Sequence, residues 1–263
     1  MSNSLCIVSA FLDIGREQWT CFQRSFPQYL SNFLPYTKMT HEMIVFMDDR
    51  HSNLLKELCK GADHIRIIPI NREFMQEHIH AYRQLARERE IMESAKFKQL
   101  VSHRLSHPEC CKPEYNIMQH AKIDFLAYVI KNKLSPAEYY AWSDFGYFQR
   151  SDRIPSKPLD LMKFDLNRIN FQAMSPLSIQ DSDIIYTLRN APERVGGFFY
   201  LGEARLLLQY QELYHKICQQ FHDMGIVDDD QHIMIQSVYR NPDLFCIWNL
   251  RGWHLTYLFF QQS

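Results

Sequence analysis

The sequence predicts an α/β fold, an open sheet flanked by helices, and three observations carry that prediction. The first seventy residues alternate apolar strand-like runs with helical ones. An apolar aromatic run, Tyr139-Tyr140-Ala141-Trp142, delivers a single acid, Asp144, immediately beyond its end. The 263 residues are 46% hydrophobic and 14% aromatic, enough to bury a sizeable core.

Leu5 to Phe11 reads as a buried strand, and Glu17 to Leu34 as mostly helical. Met43 to Met47 forms a second strand ending at Asp48-Asp49, Asn53 to Cys59 a helix, and Ile65 to Ile70 a third strand. Strand, helix, strand, helix, strand is a Rossmann-like half that can hold a nucleotide. Arg72 to His107 is charged and helix-prone, and HPECCKPEYN after it reads as a turn-rich connection. From His120, the residues Ala121, Ile123, Phe125, Leu126, Val129 and Ile130 recur near helical spacing until Ser135-Pro136 ends the pattern. The strand leading to Asp144 follows. Beyond a polar stretch, Ile169 to Phe171 and Asp183 to Tyr186 look like further strands. VGGFFYLG (Val195 to Gly202) then leads into a long helix from Glu203 to about Met224, and another helix starts near Gln231.

Composition excludes several functions. A formal net charge of −1 with no long basic run argues against a nucleic-acid partner. There is no GxGxxG and no GxxxxGK[ST], which disfavours a dinucleotide enzyme and a P-loop NTPase. No HExxH, GxSxG or Cys-His nucleophile arrangement supports a protease or hydrolase. Seven cysteines without CxxC spacing imply reduced thiols. The opening MSNSLCIVSAF has neither a charged n-region nor a long apolar run, and YLFF near the end is too short to cross a bilayer. The expectation is a cytoplasmic protein with no membrane span, peripheral contact with a membrane being left open.

The candidate site residues each carry two readings. Asp144 sits where an open α/β sheet binds its ligands, or it opens a turn before Gly146. Asp13 and Arg16 follow the first strand, where an acid meets a base or ribose and an arginine meets phosphate; the alternative is a helix-start acid with a solvated arginine. Asp48 and Asp49 stand in the equivalent place after the second strand, or cap the next helix. Lys122 can reach a diphosphate as a point charge, or be solvated. Gly196-Gly197 permits close backbone approach to a ligand, or forms a bulge. Of Asp228, Asp229 and Asp230, at least one is expected to cap the helix at Gln231, while three like charges together favour a nearby cation or sugar hydroxyls. His254 in RGWHLTY is the best late metal ligand, or a structural histidine among aromatics.

As a set, IVSAFLDIGR, HAKIDFL with WSDFGYF, VGGFFYLG, and DDDQHIMI with NPDLF resemble, in order and over nearly the whole chain, the HtrL/YibB (WlaTC) family of bacterial and viral glycosyltransferase-like proteins. The middle island also resembles galactosyl- and xylosyltransferases of the GT-A fold, in which a helix carrying Ala-Lys precedes a Trp-rich strand and a DxD motif. Only one acid of that motif is present: Gly146 replaces the second, or Trp142 the first. The resemblance implies one GT-A-like domain with a Rossmann-like mixed β-sheet flanked by helices, residues 1–145 forming a nucleotide-binding half and 146–263 an acceptor half. It implies sugar transfer from a nucleotide-diphosphate sugar, UDP-linked or alternatively GDP-linked, to an oligosaccharide or glycan acceptor. Ser9, Ala10, Phe11, Asp13, Arg16 and Ser143 would hold the donor, and Lys122 would offset the leaving group's charge. Asp144 and His254 would bind Mn²⁺ or Mg²⁺, with the diphosphate completing the shell. Gly196, Gly197 and Asp229 would face the acceptor, whose hydroxyl Asp230 would orient or deprotonate. Inversion follows if Asp230 is a base, retention if it only stabilises a cationic sugar. A metal-dependent nucleotide-sugar hydrolase and a non-catalytic nucleotide- or glycan-binding protein are the rival readings.

Overall fold

The computed structural model describes residues 4–262 and shows the expected α/β architecture, a mixed sheet with helices on both faces. Its seven strands are β1 (Leu5–Phe11), β2 (Glu42–Asp48), β3 (Ile65–Ile70), β4 (Tyr139–Ser143), β5 (Ile169–Ala173), β6 (Val195–Glu203) and β7 (Phe245–Asn249). They lie in the order β3-β2-β1-β4-β6-β5-β7. Pairing is parallel throughout except at β6, which runs antiparallel to both neighbours, β4 and β5. β1 starts toward β2 on one side, and the chain returns to place β4 on the other. Strand order therefore reverses between β1 and β4, which opens a crevice above their carboxyl ends.

The helices are α1 (Phe26–Phe33), α2 (Asp49–Leu58), α3 (Arg72–His78), α4 (Leu85–Glu93), α5 (Ala95–Leu100), α6 (Pro108–Cys111), α7 (Pro113–Lys131), α8 (Ile184–Asn190), α9 (Ala204–Met224), α10 (Asp230–Arg240) and α11 (Thr256–Phe259). Alternate residues of each strand feed two cores. Cys6, Val8, Ile44, Phe46, Trp142 and Tyr200 join α7, α9 and α10 on one face; Ile7, Val45, Ala141 and Leu201 join Phe33, Tyr36, Leu55 and Tyr257 on the other. Each fully buried side chain of the size of Phe125 contributes roughly 1.5–3 kcal/mol. α7 lies between the sheet and α9, which is why it buries polar residues such as Lys122 and Asp124 as well as Phe125 and Leu126. α9 ends where predicted, because Gly225 takes the left-handed C-cap conformation at φ 71°.

Three expectations are corrected. The helix expected over Glu17 to Leu34 is only α1. Pro27 suits a helix's first turn, and Ser25 closes a capping box with Gln28, so the chain ahead of it is a 3₁₀ turn at Arg16–Gln18 followed by loop. Asp183 to Tyr186 is not a strand: the Asp183 carboxylate accepts from the backbone N–H of Ile185 and Tyr186 and starts α8. The Ile-Ile-Tyr run had suggested strand, and the cap outweighs that preference. The connection HPECCKPEYN holds α6 and the first turns of α7, each opened by a proline at its amino end. Among the described residues, no helix is long and apolar enough to cross a membrane.

Candidate active site

A cavity of about 670 Å³ sits in the crevice over β1 and β4, and local sequence accounts for each group on its floor. The buried strand β4 ends at Ser143, and Asp144 turns out of the sheet with its N–H donating to Phe198 O at 2.9 Å. Its carboxylate is oriented rather than loose. Trp142 Nε1 donates to Asp144 Oδ1 at 2.7 Å, and the Tyr36 hydroxyl donates to its carbonyl at 3.1 Å. The side chain remains 34% exposed toward the cavity.

Lys122 rises from α7 beneath it. Its ammonium lies 3.1 Å from Asp144 Oδ1 and 2.7 Å from Asp230 Oδ2, and donates to Gly197 O at 3.0 Å. Burial alone would push the lysine pKa down, but the two carboxylates outweigh it and hold the ammonium above the ordinary lysine value. Asp230 is in place because Asp229 caps α10, its carboxylate accepting from Gln231 N at 3.0 Å, which leaves Asp230 in the first turn at the helix's positive end. A side chain at residue 197 could not coexist with this arrangement: a Cβ there would stand 2.0 Å from Asp230 Oδ2. Gly197 is therefore required for close approach of strand to carboxylate.

The cavity rim carries cations and aromatics. Arg16 donates to the Tyr29 hydroxyl at 3.0 Å and stacks over Trp19 and Tyr115, while Arg24 lies over the Tyr29 ring. Arg150 and Arg153 follow from the loop after Asp144, and Trp253 and His254 from a turn near the chain's end. That turn is pinned by Gln172 of β5, which donates to Gly252 O and accepts from Leu255 N at 3.1 Å and from Thr256 Oγ1 at 2.7 Å. Arg251 and His254 both take left-handed φ values, 52° and 54°, a conformation disfavoured outside glycine that the turn's anchors maintain. Burial pushes His254 down to about 4, against the pull of Asp144, so its imidazole is neutral.

Ala10, Phe11, Asp13, Arg16, Lys122, Asp144, Gly197, Asp230 and His254 all line this one cavity. Ser9 and Ser143 do not: both are fully buried, and the Ser143 hydroxyl is engaged with that of Tyr36. Gly196 lies behind the wall against Phe198, and Asp229 is turned inward as the helix cap. Asp48 is held by Arg50 and by Asp13 N at 3.1 Å, at the edge of an adjoining cavity that shares Leu12, Asp13, Ile14 and Met118 with the first. Sequence reasoning did not single out Arg24, Arg150, Arg153 or Trp253. Their signal was weak, since an arginine in a polar loop and a tryptophan near a glycine are ordinary surface residues in isolation.

The donor set admits a divalent cation at Asp144. Oδ2 has no hydrogen-bond partner among the described residues, and His254 is neutral and lacks one as well, so two protein donors are available for a hard ion that takes its other oxygens from phosphate and water. Asp228, Asp229 and His232 also bring three potential ligand atoms within 4.8 Å. There, however, His232 Nδ1 contacts Asp228 Oδ2 at 2.5 Å. Burial opposes the imidazolium, but Asp228 outweighs it and raises the His232 pKa, so His232 and Asp228 are engaged with each other rather than free to receive an ion.

Comparison with known proteins places these features in context. A family model described as "Bacterial protein of unknown function (HtrL_YibB)" matches residues 3–261. "Protein HtrL" of Escherichia coli (strain K12) is 25% identical over 257 residues, covering 93% of this chain and 87% of that protein. Among solved structures, the apo form of mouse xyloside xylosyltransferase 1 aligns with a TM-score of 0.43 at 11% identity, over 93% of this chain and 84% of the other.

Proposed function

We propose that this chain, which belongs to the HtrL_YibB family, is a glycosyltransferase that takes a sugar from a nucleotide-diphosphate donor, UDP-linked or alternatively GDP-linked, and attaches it to a glycan hydroxyl. The observation that carries this reading is the ammonium of Lys122 shared between Asp144 and Asp230, on the floor of an arginine-rimmed cavity at the reversal of strand order. Fixed positive charge at Lys122 beneath the cleft and at Arg16 beside it suits a departing diphosphate, and a buried carboxylate next to Lys122 suits a hydroxyl that must lose its proton.

The nucleoside lies along the loop after β1, from Ala10 to Arg16, with the adjoining cavity over β2 and β3 open to its base. Arg16 pairs with phosphate. A divalent ion, Mn²⁺ or Mg²⁺, held by Asp144 and His254 would supply Lewis-acid stabilisation of the diphosphate. Lys122 holds Asp144 and Asp230 apart by no more than one ammonium, and its charge offsets that developing on the leaving oxygen. In transfer, the bond between the anomeric carbon and the diphosphate oxygen breaks and one to the acceptor oxygen forms. Asp230 receives the acceptor's proton. Gly197, in contact with Asp230, places the β6 backbone at the acceptor side. Residues 1–145 supply the donor half and 146–263 most of the acceptor half. The seven cysteines are all unpaired, which supports a reducing, cytoplasmic place of action.

A thermal-shift panel of nucleoside diphosphates and their sugars, each with Mn²⁺ or EDTA, tests the reading on wild type and Asp144→Ala. Ligand binding to the native state raises apparent stability by mass action. One nucleotide should give a metal-dependent shift that the variant loses. Indifference to every nucleotide would refute the transferase reading, and a shift indifferent to metal and Asp144 would refute the metal-bridged form of it.

A further inference from the structure

Arg24 and Arg153 are cations without an assigned task. Among the described residues Arg24 has no carboxylate partner; its guanidinium lies 5.2 Å from the Tyr29 ring and 3.4 Å from Gln149 Oε1. Among the described residues the one acid paired with Arg153, Asp152 at 3.8 Å, already takes two bonds from Arg150 at 2.8 and 3.0 Å, so its charge is matched elsewhere. Both arginines line the same cavity as the Trp253–His254 turn. Trp253 is 42% exposed there, its ring backed by Phe198 at 5.7 Å and His254 at 6.0 Å. A half-exposed tryptophan on a cavity wall offers aromatic surface to the apolar face of a sugar.

The donor does not need these two cations. A nucleotide-linked sugar carries one negative charge on each of two phosphates, for which Arg16 and Lys122 are the cations already placed, and a divalent ion held by Asp144 and His254 would add to them. Arg16 and Arg24 are neighbours across Tyr29, so the positive rim continues past the phosphate site toward residues that come after Asp144 in the chain. Two arginines without a carboxylate of their own, in the same cavity as an exposed tryptophan, suit an anion on the other substrate.

We infer that the acceptor is an anionic saccharide, its ring resting on Trp253 and its carboxylate or phosphate received by Arg24 and Arg153. The inference rests on the transferase reading. Guanidinium groups bind either oxyanion in a paired, planar manner, so the shared chemistry is a saccharide oxyanion beside a hydroxyl.

Calorimetric titration at fixed low salt tests it, with the protein saturated by whichever nucleoside diphosphate binds it. The probes are a glucuronic-acid-terminated disaccharide against the same disaccharide with its carboxyl reduced to the alcohol, and glucose 6-phosphate against glucose. At least one anionic probe should bind about tenfold or more tightly than its neutral parent, and which of the two does so identifies the oxyanion. Arg24→Gln and Arg153→Gln should each erase most of that preference while leaving nucleoside diphosphate affinity within about twofold. Trp253→Ala should weaken the anionic probe and its neutral parent alike. Equal binding of anionic and neutral probes, or no binding of either anion, overturns the inference. So does a loss of nucleoside diphosphate affinity in the arginine variants, which would assign these cations to the donor and leave the transferase reading standing. If no nucleoside diphosphate binds the wild type, the transferase reading itself falls and the acceptor subsite with it.

Discussion

Lys122 is the residue on which the site's electrostatics turn. Its side chain and that of Asp230 are each only 7% exposed, so neither charge can be solvated if the other is removed. Lys122→Met is expected to cost roughly 3–5 kcal/mol, read by urea denaturation, and Lys122→Met with Asp230→Asn to recover much of that loss. A cost below about 1 kcal/mol for the single variant would show that the ion pair is not formed in solution. His254 offers a second test, with its sign set by burial. Its folded pKa of about 4 lies below the ordinary histidine value near 6.5, so the unfolded chain takes up a proton in a range where the folded chain does not. The stability associated with neutral His254 is complete above pH about 6.5 and is lost as pH falls toward 4, amounting to about 3 kcal/mol. Stability of His254→Phe should fall less steeply than wild type between pH 7 and 4.5. Equal slopes would show that the imidazole titrates normally.

At the scale of elements, strand ends and helix starts aim the chemistry. β4 ends one residue before Asp144, α10 begins at Asp230, and the amino end of β6 lies between them because that strand runs antiparallel. The turn at 251–254 is a weaker element. It has two left-handed non-glycine residues and depends on the buried side chain of Gln172, which is 2% exposed. In Gln172→Leu three backbone and hydroxyl partners lose their bonds. Hydrogen exchange across residues 250–257 should accelerate at least tenfold while β1 exchanges as before. Unchanged exchange in the turn would locate its restraint elsewhere.

At the scale of the molecule, the cavity is assembled from both halves of the chain. β4 pairs with β1 on one edge and β6 on the other, so cutting after residue 145 exposes the edge and both apolar faces of a central strand. Lys122 and Asp144 would stay with the first fragment, whereas Gly197, Asp230 and His254 would leave it. The isolated fragment 1–145 is expected to aggregate or lack cooperative unfolding, and to bind no nucleotide. A cooperative melting transition with a nucleotide-dependent shift would instead show that the first half is an autonomous unit.

The sequence by itself determined the alternation that builds β1 to β3 and the apolar strand that ends before Asp144, because strand periodicity, apolar runs and turn residues are written within a few positions of one another. It also marked Lys122, Gly197, Asp230 and His254 as candidates, and tertiary structure brought all four to one cavity. What it could not carry was their mutual contact: Lys122 meets Asp230 across 108 positions, and no local pattern encodes which distant carboxylate an ammonium will share. Nor could it separate Asp183 as a helix cap from the start of a strand, or Ser9 and Ser143 as buried packing residues from ligand contacts, since those outcomes depend on burial from elements elsewhere in the chain. Charge balance was decided last and by the fold alone. Arg24 and Arg153 are left without matching carboxylates only because of what the folded chain sets beside them, and an unmatched charge is a property of its surroundings rather than of the residue that bears it.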